Sequence, residues 1–234
     1  MFPKIIHICD KTLEFIEKYS KEIWSRLNPD YEIRLYDNHM CRGFLLETFG
    51  QQYADTFDYI KDGPIKADFW RVCILYTHGG VYSDADNLPL IPLKDFIEPN
   101  VDFVTCSSFW FKPTNKSFQM FEQKADAKFN PNLIICKPGD PLMKNAINWY
   151  VHKYTMRHAY SYWKWSIMSC FTDILQPSNY NGLDGVYKLG KRKIQIIREL
   201  EGKTRYHDCN VYKGNLCFYN RMSVWNVNTH NFIK

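Results

Sequence analysis

The 234-residue sequence predicts an α/β sandwich with a mostly parallel central sheet. Three observations carry that prediction. Short apolar runs at Ile5–Cys9, Val81–Ser83, Asp102–Cys106 and Leu133–Cys136 have the length of buried strands. Longer segments with apolar residues near helical spacing lie between them. Turn and cap signals, such as Asn28-Pro29-Asp30, Gly63-Pro64, Gly79-Gly80 and Asp140-Pro141, fall at the changes from one period to the other.

Taken in order, Ile5 to Cys9 is a buried strand bounded by Pro3 and Asp10. Leu13, Ile16, Ile23, Trp24 and Leu27 form one face of a helix that ends before Asn28-Pro29-Asp30, where proline cannot continue it. Ile33 and Leu35 alternate with Glu32 and Arg34, which reads as a second strand. Asp37-Asn38 supplies a capping side chain for a helix reaching Gly50, and Gln51 to Lys61 form another that stops at Gly63-Pro64. Ile65 to Thr77 is a largely apolar helix, ended by Gly79-Gly80 because glycine takes the left-handed conformation that helix termini use.

After the strand at Val81–Ser83 a loop runs through Pro89, Pro92 and Pro99 to the strand Asp102–Cys106. Asp140-Pro141 opens a helix to about Arg157, with a capping carboxylate and proline at the first position. Tyr162 to Leu175 read as one further helix, and Lys193–Ile197 and Leu216–Tyr219 as late edge strands in an otherwise irregular last third. The expectation is one domain over residues 1–234, with a ligand-binding core in 1–157 and acceptor-side elements in 158–234.

Composition narrows the function. A hydrophobic content of 45% and a charged content of 24% belong to an ordinary globular protein. The net charge of +5 is spread without a basic stripe, which argues against nucleic acid as a partner. Only Lys188 to Lys193 is a local basic cluster, and a solvated loop explains it as well as an acidic partner does. The eight cysteines form no Cys-x-x-Cys pair and sit mostly in apolar runs, so they read as reduced thiols. No apolar stretch is long enough to cross a bilayer and no signal-peptide pattern opens the chain, which points to a cytosolic protein or, alternatively, to a lumenal catalytic fragment of a membrane-anchored enzyme.

Chemistry-bearing residues concentrate between Lys66 and Pro89. Asp84 and Asp86 stand at i, i+2, and in extended chain their side chains project to one side, with α-carbons roughly 6–7 Å apart. Two hard oxygen donors in that arrangement suit a divalent cation, Mn²⁺ or Mg²⁺, together with the diphosphate it carries. The bland alternative is a turn, which Asp and Asn favour for their own backbone hydrogen bonds. Asp68 and Arg71 lie at i, i+3 on one face of the preceding apolar helix, placed to hold sugar hydroxyls and phosphate; a surface ion pair is the alternative. In open α/β sheets ligands bind beyond the carboxyl ends of the strands, where Cys9, Asp10, Lys11 and the Asp84–Asp86 segment all fall. His207 and His230 are candidates for a third metal ligand from the C-terminal region, each with a surface loop as its alternative, whereas His7 reads as a hydrogen-bonded core histidine. A Walker-type loop, a Gly-x-Gly-x-x-Gly fingerprint and a Ser-His-Asp spacing are all missing, which weakens NTPase, dinucleotide and hydrolase readings.

Five motifs in order carry a resemblance: Phe2-Pro3-Lys4-Ile5-Ile6-His7, Asn28-Pro29-Asp30-Tyr31-Glu32, Ala67-Asp68-Phe69-Trp70-Arg71, Gly79-Gly80-Val81-Tyr82-Ser83-Asp84-Ala85-Asp86 and Pro138-Gly139-Asp140-Pro141. Over residues 2 to about 157 the chain resembles the DXD-containing glycosyltransferases typified by fungal initiating mannosyltransferases and bacterial capsular-polysaccharide transferases, and its central block is similar to glucosylating bacterial toxins. The resemblance implies a GT-A fold, a UDP- or GDP-sugar donor, Mn²⁺ or Mg²⁺, a glycan, protein or lipid acceptor, and transfer with retention. It implies that Asp86 binds the metal directly, that Asp84 touches metal, ribose or sugar, and that Asp68 and Arg71 hold the donor. It further implies that Ile8 and Cys9 line the base pocket and that Asn132 faces the sugar, while the third metal ligand stays between His230 and His207. A non-catalytic nucleotide-sugar or glycan-binding module and a nucleotide-sugar hydrolase are the rival expectations.

Overall fold

The computed structural model describes residues 1–108, 128–201 and 208–220. The chain opens with β1 (Ile5–Cys9), a short α1 (Leu13–Phe15), a π-helical turn (Ile16–Ser20) and α2 (Lys21–Leu27). Then come β2 (Glu32–Tyr36), α3 (Asn38–Phe49), α4 (Gln51–Tyr59) and α5 (Gly63–His78). The strands β3 (Gly80–Ser83), β4 (Asn87–Pro89), β5 (Phe103–Cys106) and β6 (Leu133–Cys136) are followed by α6 (Pro141–Thr155), α7 (Tyr162–Trp165) and α8 (Ile167–Ile174). Last are β7 (Gly185–Leu189), β8 (Arg192–Leu200), β9 (Asp208–Tyr212) and β10 (Asn215–Asn220).

The strands join in the order β2-β1-β3-β6-β5-β8-β9-β10-β4, with β7 alongside β8. β2, β1 and β3 are parallel neighbours, as are β5 and β8, while β6 runs antiparallel between β3 and β5. Side chains alternate across the sheet, so each strand feeds two cores. Phe103, Ile134, Cys136, Ile194 and Ile196 pack on one face with α5, α6 and α8. Ile6, Ile8, Val81, Val104, Ile135 and Ile197 pack on the other, against Ile16 and Trp24 and against Tyr212 and Phe218 of β9 and β10. The α/β class with a parallel sheet core is the one the sequence predicts.

The C-terminal third differs from expectation. Its described residues hold four strands, and β8 and β10 are interior to the sheet order, not edges. The reason is tight turn chemistry. Lys213 and Gly214 both have positive φ, 49° and 80°, the backbone of a two-residue hairpin turn that returns β10 onto β9. The basic Lys188–Lys193 stretch is the hairpin joining β7 to β8, turned at Gly190 with φ 61°. The predicted helix Tyr162–Leu175 is broken at Ser166, whose extended backbone starts a new helix and whose Oγ accepts from Ser169 N. All eight cysteines are free and seven are buried, packing as small apolar side chains. Among the described residues, no helix is long and apolar enough to cross a membrane.

Candidate active site

α5 is buried continuously from Asp68 to Leu75, so the two charged residues of that stretch have no water to turn to. They find each other: Arg71 Nη2 lies 2.7 Å from Asp68 Oδ1. The same nitrogen lies 2.9 Å from Asp84 Oδ1, beyond the end of β3. Arg71 Nη1 donates to Pro131 O at 2.7 Å, and the guanidinium carbon sits 4.2 Å from the centre of the Tyr82 ring. One planar cation therefore ties α5, the end of β3 and the segment before β6 together, a task the fixed fork of arginine suits and a lysine ammonium does not. Asp68 Oδ2 accepts from Ile167 N at 2.9 Å, the first backbone N–H of α8, which explains the break at Ser166.

Two glycines bring α5 and β3 into this relation. Gly79 (φ 62°) ends the helix, and a Cβ there would stand 2.6 Å from Pro138. Gly80 (φ 89°) starts the strand, and a Cβ there would stand 2.6 Å from Ile5 O of β1. Only a residue without a side chain fits either place.

Asp84 and Asp86 do not lie in extended chain. Asn87 N donates to Asp84 O at 3.2 Å, closing a turn over Asp84–Asn87, and Ser20 Oγ of the π-helical turn pins Ala85 O at 2.7 Å. The turn reading of Asp-x-Asp-Asn is the one seen in the backbone, and both carboxylates flank that turn. Asp84 N donates to Asn132 O at 2.9 Å, and Asp84 Oδ1 accepts from Tyr82 OH at 2.9 Å.

Electrostatics at the turn are asymmetric. Burial raises the Asp84 pKa, with Arg71 and the Tyr82 hydroxyl working the other way. Asp86 is pushed up to about 7 by burial and by the charge of Asp84, with a smaller contribution from Asp10 after β1. Asp84 has its cation. Among the described residues no basic side chain pairs directly with Asp86, and the more distant charge of Arg71 offsets only part of the rise.

Of the residues singled out in the sequence, Asp68, Arg71 and Asp84 are in direct contact, Asp86 is coupled to Asp84 through charge, and Asn132 is joined to Asp84 through its carbonyl. Cys9 faces the same side, its Sγ 3.9 Å from Tyr82 OH. Ile8 points to the opposite face, wholly buried in the apolar cluster with Ile16 and Trp24, and has only its backbone to offer a ligand. His7 is a core residue, its ring nitrogens within hydrogen-bond distance of Gly79 O and Tyr36 OH. His207 and His230 lie outside the described residues. Among the described residues no three His, Cys, Asp or Glu side chains converge into a complete metal site. Two residues escaped the sequence reading. Tyr82 stands at i−2 from Asp84 on the strand, a spacing that could have flagged it. Tyr162 carried no signal at all, yet its phenol is pushed up to about 12 by burial and by the charges of Asp68, Asp62 and Asp84.

Residues 15–104 match the family model of the glycosyltransferase sugar-binding region containing the DXD motif. An uncharacterized glycosyltransferase of Acanthamoeba polyphaga mimivirus is 35% identical over 102 residues, covering 42% of this chain and 40% of the relative. The inositol phosphoceramide mannosyltransferase 3 of Schizosaccharomyces pombe is 38% identical over 99 residues, covering 40% of this chain and 28% of the relative. The initiation-specific alpha-1,6-mannosyltransferase of Candida albicans is 31% identical over 87 residues, covering 36% and 23%. These alignments thus span well under half the length of each relative. Among solved structures, the PaToxG glycosyltransferase covers 74% of this chain and 68% of its own, at 18% identity and a TM-score of 0.48. Asp68, Arg71, Asp84 and Asp86 all fall within the matched residues 15–104, over which the chain is similar to the DXD-containing sugar-binding region of glycosyltransferases.

Proposed function

We propose that this protein is a metal-dependent glycosyltransferase that moves a hexose from a nucleoside-diphosphate sugar to a hydroxyl of a glycan, protein or lipid, with retention of configuration. The observation that carries the reading is the buried Asp68–Arg71–Asp84 contact beside Asp86, with which no basic side chain pairs directly among the described residues.

The donor set fits Mn²⁺ or Mg²⁺. Such ions are commonly held by one or two carboxylates with the rest of the shell from phosphate oxygens and water, so Asp86, with Asp84 beside it, is a sufficient protein contribution. When bound, the cation acts as a Lewis acid on the departing diphosphate. Arg71 is pre-positioned by Asp68, Asp84 and Pro131 O, so its charge acts without reorganising when negative charge builds on the leaving group. Asp68, braced by Arg71 and Ile167 N, keeps its carboxylate oriented to accept from a sugar hydroxyl. The apolar surroundings of α5 limit water that would otherwise intercept the sugar. Several relatives bear mannosyltransferase names, which makes donors carrying mannose the first to try and UDP-hexoses the next.

The direct test is nucleotide release from GDP-mannose or UDP-glucose with Mn²⁺, with and without added acceptor, in wild type and Asp86→Ala. Acceptor-stimulated release that the substitution abolishes is the expected result. Equal release by the variant would end the metal role, acceptor-independent release would mark a hydrolase, and binding without release would mark a binding module.

A further inference from the structure

Three lysines of the β7–β8 hairpin are exposed: Lys188 in β7, Lys191 in the turn and Lys193 in β8. Lys188 and Lys193 stand directly opposite each other in the antiparallel register, so they share one face of the sheet with their Cβ atoms roughly 5 Å apart. Like charges so placed are destabilising. Among the described residues no carboxylate forms an ion pair with any of the three. Asp102, Asp184 and Glu98 border the hairpin, yet each carboxylate is committed to another group. Asp102 Oδ2 accepts from Lys193 N at 2.9 Å, Asp184 Oδ2 accepts from Lys213 N at 2.6 Å, and Glu98 pairs with Lys213 Nζ.

The same face carries Val186, two residues before Lys188 and 44% exposed. Its cross-strand partner Gln195 is wholly buried, donating to Phe96 O at 2.6 Å and accepting from Glu98 N at 2.9 Å. The covering layer thus reaches Gln195 and leaves Val186, Lys188 and Lys193 bare. On the opposite face Tyr187 and Leu189 pack against the core, and Tyr187 OH donates to Leu183 O at 2.9 Å, which keeps the exposed Leu183 beside the hairpin.

Lysine on an edge strand commonly blocks pairing with another chain. That explains Lys188 at most, because Lys193 belongs to the interior strand β8 and Lys191 to the turn, and Ser178 N already donates to Lys188 O at 2.7 Å. An anionic lipid surface answers both features of this face. Its headgroups offset the opposed charges, while Val186 and the aliphatic stems of the lysines reach the boundary of the acyl chains. A nucleic-acid backbone meets the lysines but offers Val186 no apolar partner.

We propose that the bare face of the β7–β8 hairpin, with Lys188, Lys193 and Val186 on it and Lys191 at its tip, docks the protein reversibly on an anionic bilayer. β8 runs parallel to β5, and antiparallel β6 links β5 to β3, so the hairpin turn stands at the end of the sheet opposite the Asp84–Asn87 turn. Docking by the hairpin tip therefore leaves the carboxylate turn facing solution. The inference uses no residue of the candidate active site and stands apart from the glycosyltransferase reading.

The test is co-sedimentation of the full chain with vesicles of phosphatidylcholine alone and of phosphatidylcholine mixed with phosphatidylserine, at low and at high salt. Wild type should bind the mixed vesicles at low salt, leave them at high salt, and ignore the neutral ones. Lys188→Gln combined with Lys193→Gln should lower partitioning about thirtyfold, the worth of two lysines at such a surface. That double variant should melt at or slightly above wild type, because the opposed charges are gone, and this separates lost docking from lost folding. Val186→Ser should weaken binding severalfold while keeping its salt dependence. No binding of wild type to mixed vesicles, equal binding to neutral vesicles, or an unchanged double variant overturns the proposal. Binding of wild type to duplex DNA that the double variant loses, with vesicles ignored by both, assigns the lysines to nucleic acid and equally overturns it.

Discussion

Arg71 Nη2 lies 2.9 Å from Asp84 Oδ1, so a helix residue and the first carboxylate of the Asp-x-Asp turn share a buried charge pair. Asp68 bonds to the same nitrogen at 2.7 Å, which leaves one cation between two carboxylates. The arrangement is electrostatically tense, and its consequences are measurable.

Removing the cation strands both carboxylates. Arg71→Ala is expected to destabilise the fold by about 3–5 kcal/mol, the scale of breaking a buried pair on one side. Arg71→Lys keeps the charge but cannot bond two carboxylates and Pro131 O from one plane, and so should fall between wild type and Arg71→Ala. Urea unfolding of the three proteins orders them, and a Lys variant as stable as wild type would contradict the fork geometry.

Asp86 should show the opposite trade. Its carboxyl is pushed up to about 7 from 3.8 by burial and Asp84, so its contribution to stability is present at low pH and lost as pH rises through about 7. Asp86→Asn is therefore expected to melt above wild type at pH 8 in a chelating buffer. Activity should drop about 10²–10³-fold, the scale of losing one stabiliser of developing charge. The rise in melting temperature that Mn²⁺ gives wild type should vanish in the variant. A variant less stable than wild type at pH 8 without metal would show that Asp86 is not under electrostatic strain.

A pH signature belongs to Asp68. Burial pushes it up to about 6 from 3.8, against the pull of Arg71 and the Ile167 N–H. Because the folded carboxyl holds its proton to a higher pH than the unfolded one, its share of stability is complete below about pH 4 and is lost as pH rises through about 6. Relative to Asp68→Asn, wild type should lose on the order of 2–3 kcal/mol between pH 4 and pH 7. Urea titrations at the two pH values measure it, and a constant difference would place the Asp68 carboxyl near its unfolded value.

Backbone geometry offers a test free of charge. Gly80→Ala sets a Cβ 2.6 Å from Ile5 O with φ at 89°, and neither β1 nor β3 can yield without losing ladder hydrogen bonds. A loss of about 2–3 kcal/mol, or roughly 5–10 °C in melting temperature, is expected. Gly43→Ala, in α3 with nothing near its Cβ, is the control and should be neutral or stabilising.

Local chemistry determined most of the first two thirds. The strand runs of β1, β3 and β6 are short and apolar because both faces of the sheet are covered, and helix boundaries follow from Asp37, Asp140-Pro141 and Gly79, whose caps and backbone freedom act within a few residues. The proximity of Asp68 and Arg71 was legible for the same reason, since i, i+3 is a contact of one helix face. Distance in sequence set the limit. Cross-strand partners, the joining of Asp84 to Arg71, the placement of Tyr162 near both, and the meeting of Asn132 with Asn210 depend on which surfaces bury together, and that choice is made by the whole chain. The sequence by itself determined which residues carry charge and how each segment bends. Only tertiary packing decided that one guanidinium would be shared between two carboxylates and that, among the described residues, no basic side chain would pair with Asp86, because burial removes the water that would otherwise have screened them all.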